Sequence, residues 1–265
     1  VNSMSDLFHE SLDDETIAAV FGVMAASPAH TFQVLTKRPE RMREWMREAT
    51  LESGDPAFDC SKAARSYLGT KYPTHRTKGT LLRDPWPLPN VWLGCSVEDQ
   101  ATADERIPIL LDTPAAVRFV SAEPLLGPVD LGKADALPIY RDAETVTDRM
   151  MSFDGAGKPV CTEERSRPGR GWCRHDGNTH PWLDWVIVGG ESGPGARPCD
   201  VRWIRSIVEQ TRAAGVACFV KQLGANVTVP HDDEWFSTTW SRGDPRNRAQ
   251  LSDSMGGSMD EWPHT

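Results

Sequence analysis

The chain has 265 residues, of which 39% are hydrophobic and 25% are charged, and its formal net charge is −9. This acidic balance argues against a general nucleic-acid binder, because affinity for phosphate backbones comes largely from lysine and arginine, although it still allows a local basic groove. The sequence has no apolar run of 18 residues, no signal segment at its start and six widely scattered cysteines, so we expect a soluble cytoplasmic protein with reduced thiols.

The periodicity of apolar residues predicts strands that alternate with helices. In chain order the sequence predicts a strand over 1–8, a helix from 13 to about 27, a strand over 31–35, a helix over 41–49, a strand over 90–98 and a helix from about 101 to 111. There follow a strand with its exit loop over 117–127, a strand over 185–188, a helix over 201–213 and a strand over 217–222. Two polar stretches rich in turn-forming residues, about 50–88 and 132–181, are predicted to be insertions, and the tail 230–265 is expected to have little regular structure.

Repeated strand–helix units predict a parallel sheet, built as either a barrel or a doubly wound sheet. Polar residues follow every predicted strand, which favours a partial (β/α) barrel, because the ligands of an open doubly wound sheet bind only where the strand order reverses. The fold class is therefore predicted as α/β, a partial barrel forming one domain over residues 1–265. The polar residues at the strand ends are Asp6, Lys37, Arg38, Ser96, Glu98, Glu123, Glu191, Lys221 and Gln222.

The stretch 183–198 is predicted to be a buried strand that leads into a ligand loop. Gly189 and Gly190 end the strand and allow a close backbone approach, and Glu191 follows them at the position where parallel folds carry their chemistry. Lys221 ends the next predicted strand. We therefore expect Glu191 and Lys221 to meet in one ligand site, although a solvated acid in a glycine-rich turn is the simpler alternative.

Glu123 and the pair Lys37–Arg38 are also candidate site residues. Glu123 precedes Pro124, which favours an extended conformation at a strand end, and the alternative is a carboxylate paired structurally with Arg118 or Lys37. For Lys37 and Arg38 the functional interpretation is a clamp on a carboxylate or phosphate, and the alternative is a solvated pair where a helix begins.

The second insertion contains four residues with zinc-ligand chemistry. Cys161, Cys173, His175 and His180 offer a tetrahedral ligand set, but the usual closely spaced cysteine pair is missing. A polar loop is the favoured interpretation, and zinc is the weaker one.

Six phrases of the sequence resemble, in order, the phage protein Gp family, a domain of unknown function allied to radical S-adenosylmethionine enzymes. The phrases span residues 1–9, 32–39, 91–98, 118–125, 186–193 and 256–263.

The resemblance implies a partial barrel of the radical S-adenosylmethionine type, with S-adenosylmethionine and a [4Fe-4S] cluster as cofactors. It places Ser3, Ser5 and Asp6 near the methionine amino group and Ser96 with Glu98 near the ribose, in a mouth that also includes Gly189 and Gly190. Family members carry a cysteine-rich loop ahead of the stretch that begins here at Val1. This chain has no closely spaced cysteine triplet, so we expect that the cluster-binding N-terminus is missing.

Three functions follow from these expectations. The first is a radical S-adenosylmethionine-like enzyme of unknown substrate without its cluster-binding segment. The second is a redox-silent barrel that binds a nucleoside or amino-acid-like ligand. The third is a metal-dependent hydrolase that uses the oxygen ligands of Asp6, Glu98, Glu123 and Glu191. In all three, the partner is a small molecule at the barrel mouth, without a membrane and without a strong nucleic-acid signal.

Overall fold

The computed structural model describes residues 5–52, 56–68, 86–134, 136–137, 151–153, 159–161 and 182–228. The elements in chain order are α1 (Asp14–Ala25), β1 (Phe32–Thr36), α2 (Pro39–Glu52), α3 (Pro56–Leu68), β2 (Val91–Ser96), α4 (Gln100–Leu111), β3 (Val117–Ala122), β4 (Met151–Phe153), β5 (Pro159–Cys161), β6 (Trp185–Gly189), β7 (Cys199–Asp200), α5 (Val201–Ala213), β8 (Ala217–Gln222) and β9 (Val227–Thr228).

Five of the strands form a parallel sheet in the order β1-β2-β3-β6-β8. This order follows the sequence in a single direction, so the sheet has no point at which the strand order reverses. Right-handed crossovers then place the connecting helices on one face of the sheet. The expected α/β class and parallel sheet are confirmed, but the described strands form an open sheet and not a closed barrel, since β1 and β8 lie at opposite ends.

The two faces of the sheet differ in burial. On the helix face lie side chains that are at most 1% exposed, among them Val34, Leu93 and Val120. The opposite face, which we call the open face, presents Leu35 at 36% and Phe219 at 50% exposure. Side chains on a strand alternate between faces, so the open face also includes Trp92, Trp185 and Ile187, which are partly buried, and Phe119, which is only 1% exposed.

The helices begin where acidic side chains cap them. The Asp13 carboxylate accepts a hydrogen bond from the Thr16 N–H at 2.7 Å at the start of α1, and Asp99 forms a reciprocal capping box with Thr102 at the start of α4. These caps satisfy backbone donors that have no partner within the helix. No helix in the described part of the chain has both the length and the apolar character needed to cross a membrane.

The connection from β3 to β6 starts with a packed loop instead of a helix. Leu125, Val129 and Leu131 are buried in this loop. The side chain of Gln210 in α5 makes two hydrogen bonds to this loop. Its Nε2 donates to the Val129 carbonyl at 2.9 Å, and its Oε1 accepts from the Leu131 N–H at 2.7 Å. The loop is thereby fixed against α5.

The structure corrects two predicted elements. The strand expected over 1–8 is not formed by its described part, because residues 5–8 turn and the His9 N–H donates to the Asp6 carbonyl at 3.1 Å. The insertion expected to be irregular over 50–88 contains helix α3, which begins with Pro56 as its first helical residue. Small residues on this helix, Cys60 and Ala64, pack against α1 where a conventional apolar stripe would have large side chains.

Candidate functional site

The candidate site is a row of polar residues at the C-terminal edge of the sheet. The strand register aligns Thr36 with Cys95 and Ser96 with Ser121. The three hydroxyl-bearing residues Thr36, Ser96 and Ser121 are almost completely buried. Alternation continues past the strand ends, so Lys37, Glu98 and Glu123 fall on the side of the open face. The row therefore follows the C-terminal edge of the sheet, with Lys37, Glu98 and Glu123 above the open face and Thr36, which alternates with Lys37, on the helix face.

Asp6 fastens the N-terminal segment to the end of β1 through four hydrogen bonds. Its Oδ1 atom accepts from the Phe8 N–H at 2.9 Å and from the Thr36 hydroxyl at 2.7 Å. Its Oδ2 atom accepts from the Lys37 N–H at 2.9 Å and from the Arg38 guanidinium at 3.0 Å. Burial alone would raise the pKa of Asp6, but these hydrogen bonds outweigh it and the pKa is lowered.

Glu98 is held by two cations. The Lys37 ammonium donates to its Oε1 at 2.5 Å, and the Arg106 guanidinium donates to its Oε2 at 3.0 Å. Arg106 also donates to the Ser96 carbonyl at 2.8 Å, which fixes the end of β2. Arg106 was not predicted from the sequence, because it lies within α4 and not in a loop, about two helical turns after Glu98.

Glu123 reaches across the end of β6 to β8. Its carboxylate accepts from the Lys221 ammonium at 3.0 Å and from the Gln222 amide at 3.2 Å. The same Nε2 atom of Gln222 also donates to the Gly190 carbonyl at 2.9 Å, which fixes the amide group between the two acceptors. The two glycines make this approach possible, since a Cβ on Gly189 would lie 2.9 Å from the Gln222 carbonyl oxygen and one on Gly190 would lie 2.1 Å from that of Leu223.

A β-bulge directs Lys221 toward Glu123. Val188 pairs with Val220, but the next residue, Gly189, pairs with Gln222, so Lys221 is the extra residue of β8. Bulges of this kind change the direction of a side chain and are common beside functional sites. The bulge explains why Lys221 contacts a carboxylate two strands away.

Glu191 is paired within its own loop and not with Lys221, which corrects the expected pair. The Arg197 backbone N–H and its Nε both donate to Oε2 at 2.8 Å, and its Nη2 donates to Oε1 at 2.9 Å. These hydrogen bonds lower the pKa of Glu191 to about 2. Glu191 therefore closes the glycine-rich loop. This role is close to the simpler alternative from the sequence, in which Glu191 is an acid within a glycine-rich turn.

Three of these carboxylates share one arrangement, in which the acid lies beneath a more exposed cation. The side chains of Asp6, Glu98 and Glu123 are 12–16% exposed, whereas their partners Arg38, Lys37 and Lys221 are 36%, 57% and 53% exposed, respectively. Such ion pairs can open at small free-energy cost, because solvated cations of this kind contribute little to stability. A ligand that carries both a positive and a negative group can therefore replace the partners of such an ion pair.

The remaining predicted site residues do not join this cluster. Ser5 is exposed, and Ser3 lies outside the described residues. Of the zinc candidates, Cys173, His175 and His180 also lie outside them, and Cys161 ends β5 without a described side chain.

The four cysteines with described side chains, Cys60, Cys95, Cys199 and Cys218, are free thiols. Burial raises the pKa of Cys60, Cys95 and Cys199 to about 12, so these thiols are poor nucleophiles and poor metal ligands near neutral pH. Within the described ranges, no three His, Cys, Asp or Glu residues form a group that could hold a metal ion.

No curated protein and no solved structure matches the chain. A family match does exist, and it covers residues 1–256, which includes every element of the sheet and the whole polar row at its C-terminal edge. The chain therefore belongs to the family described as "Protein of unknown function (DUF5131)".

Proposed function

We propose that the C-terminal edge of the sheet binds a small ligand that carries both a cation and a carboxylate, of the S-adenosylmethionine type. The observation that carries this proposal is the position of Glu123 beneath a single flexible cation, Lys221. An incoming ammonium or sulfonium group takes the place of Lys221 on Glu123. The released lysine is then free to pair with the carboxylate of the ligand.

Glu123 is singled out by the contacts of the other carboxylates. Asp6 accepts four hydrogen bonds from the protein, and Glu191 accepts three from Arg197. Glu98 is held by Lys37 and by the largely buried Arg106. Glu123 keeps its place through Gln222 even when Lys221 leaves, so it is prepared to receive a different cation.

The finer resemblance, to the phage protein Gp family and to radical S-adenosylmethionine enzymes, is part of the proposal. The sequential order of the parallel strands supports it, because a (β/α) barrel is built from consecutive neighbouring strands. The position of the polar row at the C-terminal strand ends supports it also, since barrel enzymes bind their ligands there.

The described residues do not fit the [4Fe-4S] cluster that this resemblance implies. Cluster ligation requires several thiolates in one place, whereas the four cysteines with described side chains lie in four different elements, α3, β2, β7 and β8. The redox-silent binding protein is the second candidate, because the ion pairs of the polar row can exchange with a charged ligand without a cluster. The metal-dependent hydrolase gains no support, because the four carboxylates are paired separately with cations.

The proposal is tested by isothermal titration of the whole chain with S-adenosylmethionine, methionine and adenosine. We expect saturable binding of S-adenosylmethionine, and Glu123→Gln should weaken it by about tenfold or more, since one charge-assisted contact contributes roughly 1.5–3 kcal/mol. Adenosine has no cation and should be insensitive to this change. Asp112→Asn, which removes a carboxylate at the opposite end of α4, is the matched control. Failure of all three ligands to bind at millimolar concentration, or equal loss in both variants, would overturn the proposal.

A further inference from the structure

The guanidinium of Arg197, in the glycine-rich loop, is occupied on one side only. Its Nε donates to Glu191 Oε2 at 2.8 Å and its Nη2 donates to Glu191 Oε1 at 2.9 Å, so the two groups form a bidentate pair. The Nη1 group has no hydrogen-bond partner in the part of the chain that the structure describes. A guanidinium has more donors than this pair uses. Arg197, which is 55% exposed, therefore keeps donors for a second acceptor.

The loop that carries Arg197 is fixed by the segment that follows β8. The Ala225 N–H donates to the Glu191 carbonyl at 2.8 Å, and the Asn226 side-chain amide donates to the Ala196 carbonyl at 2.8 Å. The loop is thereby held at its start and directly before Arg197. A group on a fixed base loses less conformational entropy when a ligand binds, which favours affinity.

The loop lies beside Glu123. It starts from β6, which pairs with β3, and Glu123 follows the last residue of β3. The Leu125 N–H donates to the Gly189 carbonyl at 2.9 Å and so joins the exits of the two strands directly. Adjacent strands are about 4.8 Å apart. Glu123 and the loop are therefore close enough to hold two groups of one small molecule.

The charges around Arg197 show toward which strands it is turned. Its hydrogen bonds with Glu191 raise the pKa of Arg197, and the charge of Glu98 adds to this effect. Glu98 follows β2, whereas the loop follows β6, and β3 is the strand between them. The guanidinium is therefore directed across the end of β3, where Glu123 lies.

We infer that Arg197 determines specificity at this edge, so that the site recognises an α-amino acid group whose ammonium binds Glu123 and whose carboxylate binds the free side of Arg197. This inference rests on the function proposed above and names the chemical class of its ligand. A planar guanidinium binds a carboxylate in a fixed geometry, whereas the ammonium of Lys221 is a solvated charge on a flexible stem. Glu191 is a positioning residue, because it holds the guanidinium from the side opposite to the ligand.

The pairing of charges along the edge favours this ligand over a simple anion. Each of the exposed cations Lys37, Arg38, Arg197 and Lys221 already lies beside a carboxylate, and the chain has a net charge of −9. An α-amino acid group has no net charge, so this acidic balance does not repel it. Its ammonium lies on a carboxylate of the protein and its carboxylate on a cation, which leaves no charge without a partner.

Isothermal titration of the whole chain tests the inference with methionine and S-adenosylmethionine, each compared with the amine that remains when its carboxylate is removed. The measured quantity is the ratio of the two affinities within each ligand pair. Arg197→Met should lower this ratio about fivefold, as expected for one exposed charge pair, and should leave the binding of the amines unchanged. Glu191→Gln should lower the ratio by less, because the guanidinium is still present but is no longer held by a charged partner.

Arg202→Met is the matched control, since Arg202 is similarly exposed at 57% and is also paired with a carboxylate, that of Asp200. This variant should keep the wild-type ratio. An equal change of the ratio in both arginine variants, or no change in either, would overturn the inference. Equal loss of both members of each ligand pair in Arg197→Met would overturn it too, because that result indicates a collapsed loop and not a contact with the carboxylate.

Glu123→Gln separates the inference from the proposed function. Both members of each ligand pair carry the ammonium, so this variant should weaken both and leave their ratio nearly unchanged. If it does so while Arg197→Met has no selective effect, the proposed function stands and the inference fails. If none of the four ligands binds to the wild-type chain, both fail together.

Discussion

At the scale of single residues, Asp6 stabilises the fold as an ionised group. Its carboxylate accepts four hydrogen bonds, and its pKa lies below the ordinary value of 3.8. A group whose pKa is lowered on folding stabilises the protein above its unfolded pKa, and this contribution is lost as the pH falls through the folded value. Asp6 therefore contributes to acid denaturation below about pH 4.

Asp6→Asn should reduce the free energy of unfolding at pH 7 by about 1–3 kcal/mol, because four donors lose a charged acceptor. Urea denaturation of wild type and variant between pH 7 and pH 2 measures this difference. The difference should shrink as the pH falls through the lowered pKa of Asp6, because the wild-type carboxylate then takes up a proton. A difference that stays constant down to pH 2 would show that the loss is steric and not electrostatic.

Pairing of Lys221 with Glu123 makes a second prediction at this scale. In a double-mutant cycle, Glu123→Gln and Lys221→Met should show a coupling free energy of roughly 0.5–1 kcal/mol, toward the low end for contacting charges because Lys221 is half exposed. The cycle of Glu191→Gln with Lys221→Met is the matched control and should be additive. Coupling in the control cycle together with additivity in the first cycle would show that Lys221 pairs with Glu191, as the sequence predicted, and not with Glu123.

At the scale of elements, α1 and α3 are held together by a close approach at Gly22. A Cβ at this position would lie 2.2 Å from the Cys60 carbonyl oxygen and 2.8 Å from the Ala64 Cβ. Phe21, next to Gly22, packs against Trp45 of α2 at 4.6 Å between ring centroids. The crossing therefore connects the first three helices.

Gly22→Ala should destabilise the protein by roughly 1–3 kcal/mol through this clash, although alanine is the better helix former by about 1 kcal/mol. The sign of the change in the free energy of unfolding shows whether the clash or the helix propensity of alanine has the larger effect. Val23→Ala on the adjacent exposed position should change stability by no more than about 0.5 kcal/mol. Thermal or urea unfolding measures both, and a stabilised Gly22→Ala variant would contradict the close crossing.

At the scale of the whole molecule, the sheet was predictable from the sequence because apolar residues dominate its strands and β6 is a continuous apolar run. The buried positions of Val186 and Val188 follow directly from such a run. The location of the polar row was predictable too, since every parallel strand ends at the same edge. These features depend on local pattern and on the handedness of crossovers, both of which a single sequence contains.

Partners within the polar row were less predictable, because they depend on features that periodicity does not show. The prediction assumed that Lys221 contacts its neighbour Glu191, but the bulge in β8 and the missing side chains of Gly189 and Gly190 let it reach Glu123 instead. Arg197 had no signal beyond its place in a glycine-rich loop. Helix α3 was missed because its buried side chains are small.

The last prediction concerns whether the sheet and the helices α1 to α3 unfold together. Cys60 of α3, Cys95 of β2 and Cys199 of β7 are at most 4% exposed, and each has a pKa of about 12. At pH 8 a thiol with that pKa is ionised in roughly one molecule in ten thousand, so alkylation must wait for exposure. If the chain unfolds as one cooperative unit, the three thiols should be labelled by N-ethylmaleimide with one rate at each urea concentration.

Cys218, which is partly exposed, should be labelled earlier and serves as the internal reference. Peptide mapping by mass spectrometry distinguishes these sites from Cys161 and Cys173. Faster labelling of Cys60 than of Cys95 would show that α3 opens while the sheet stays folded, and the single predicted domain would then consist of two units of unequal stability.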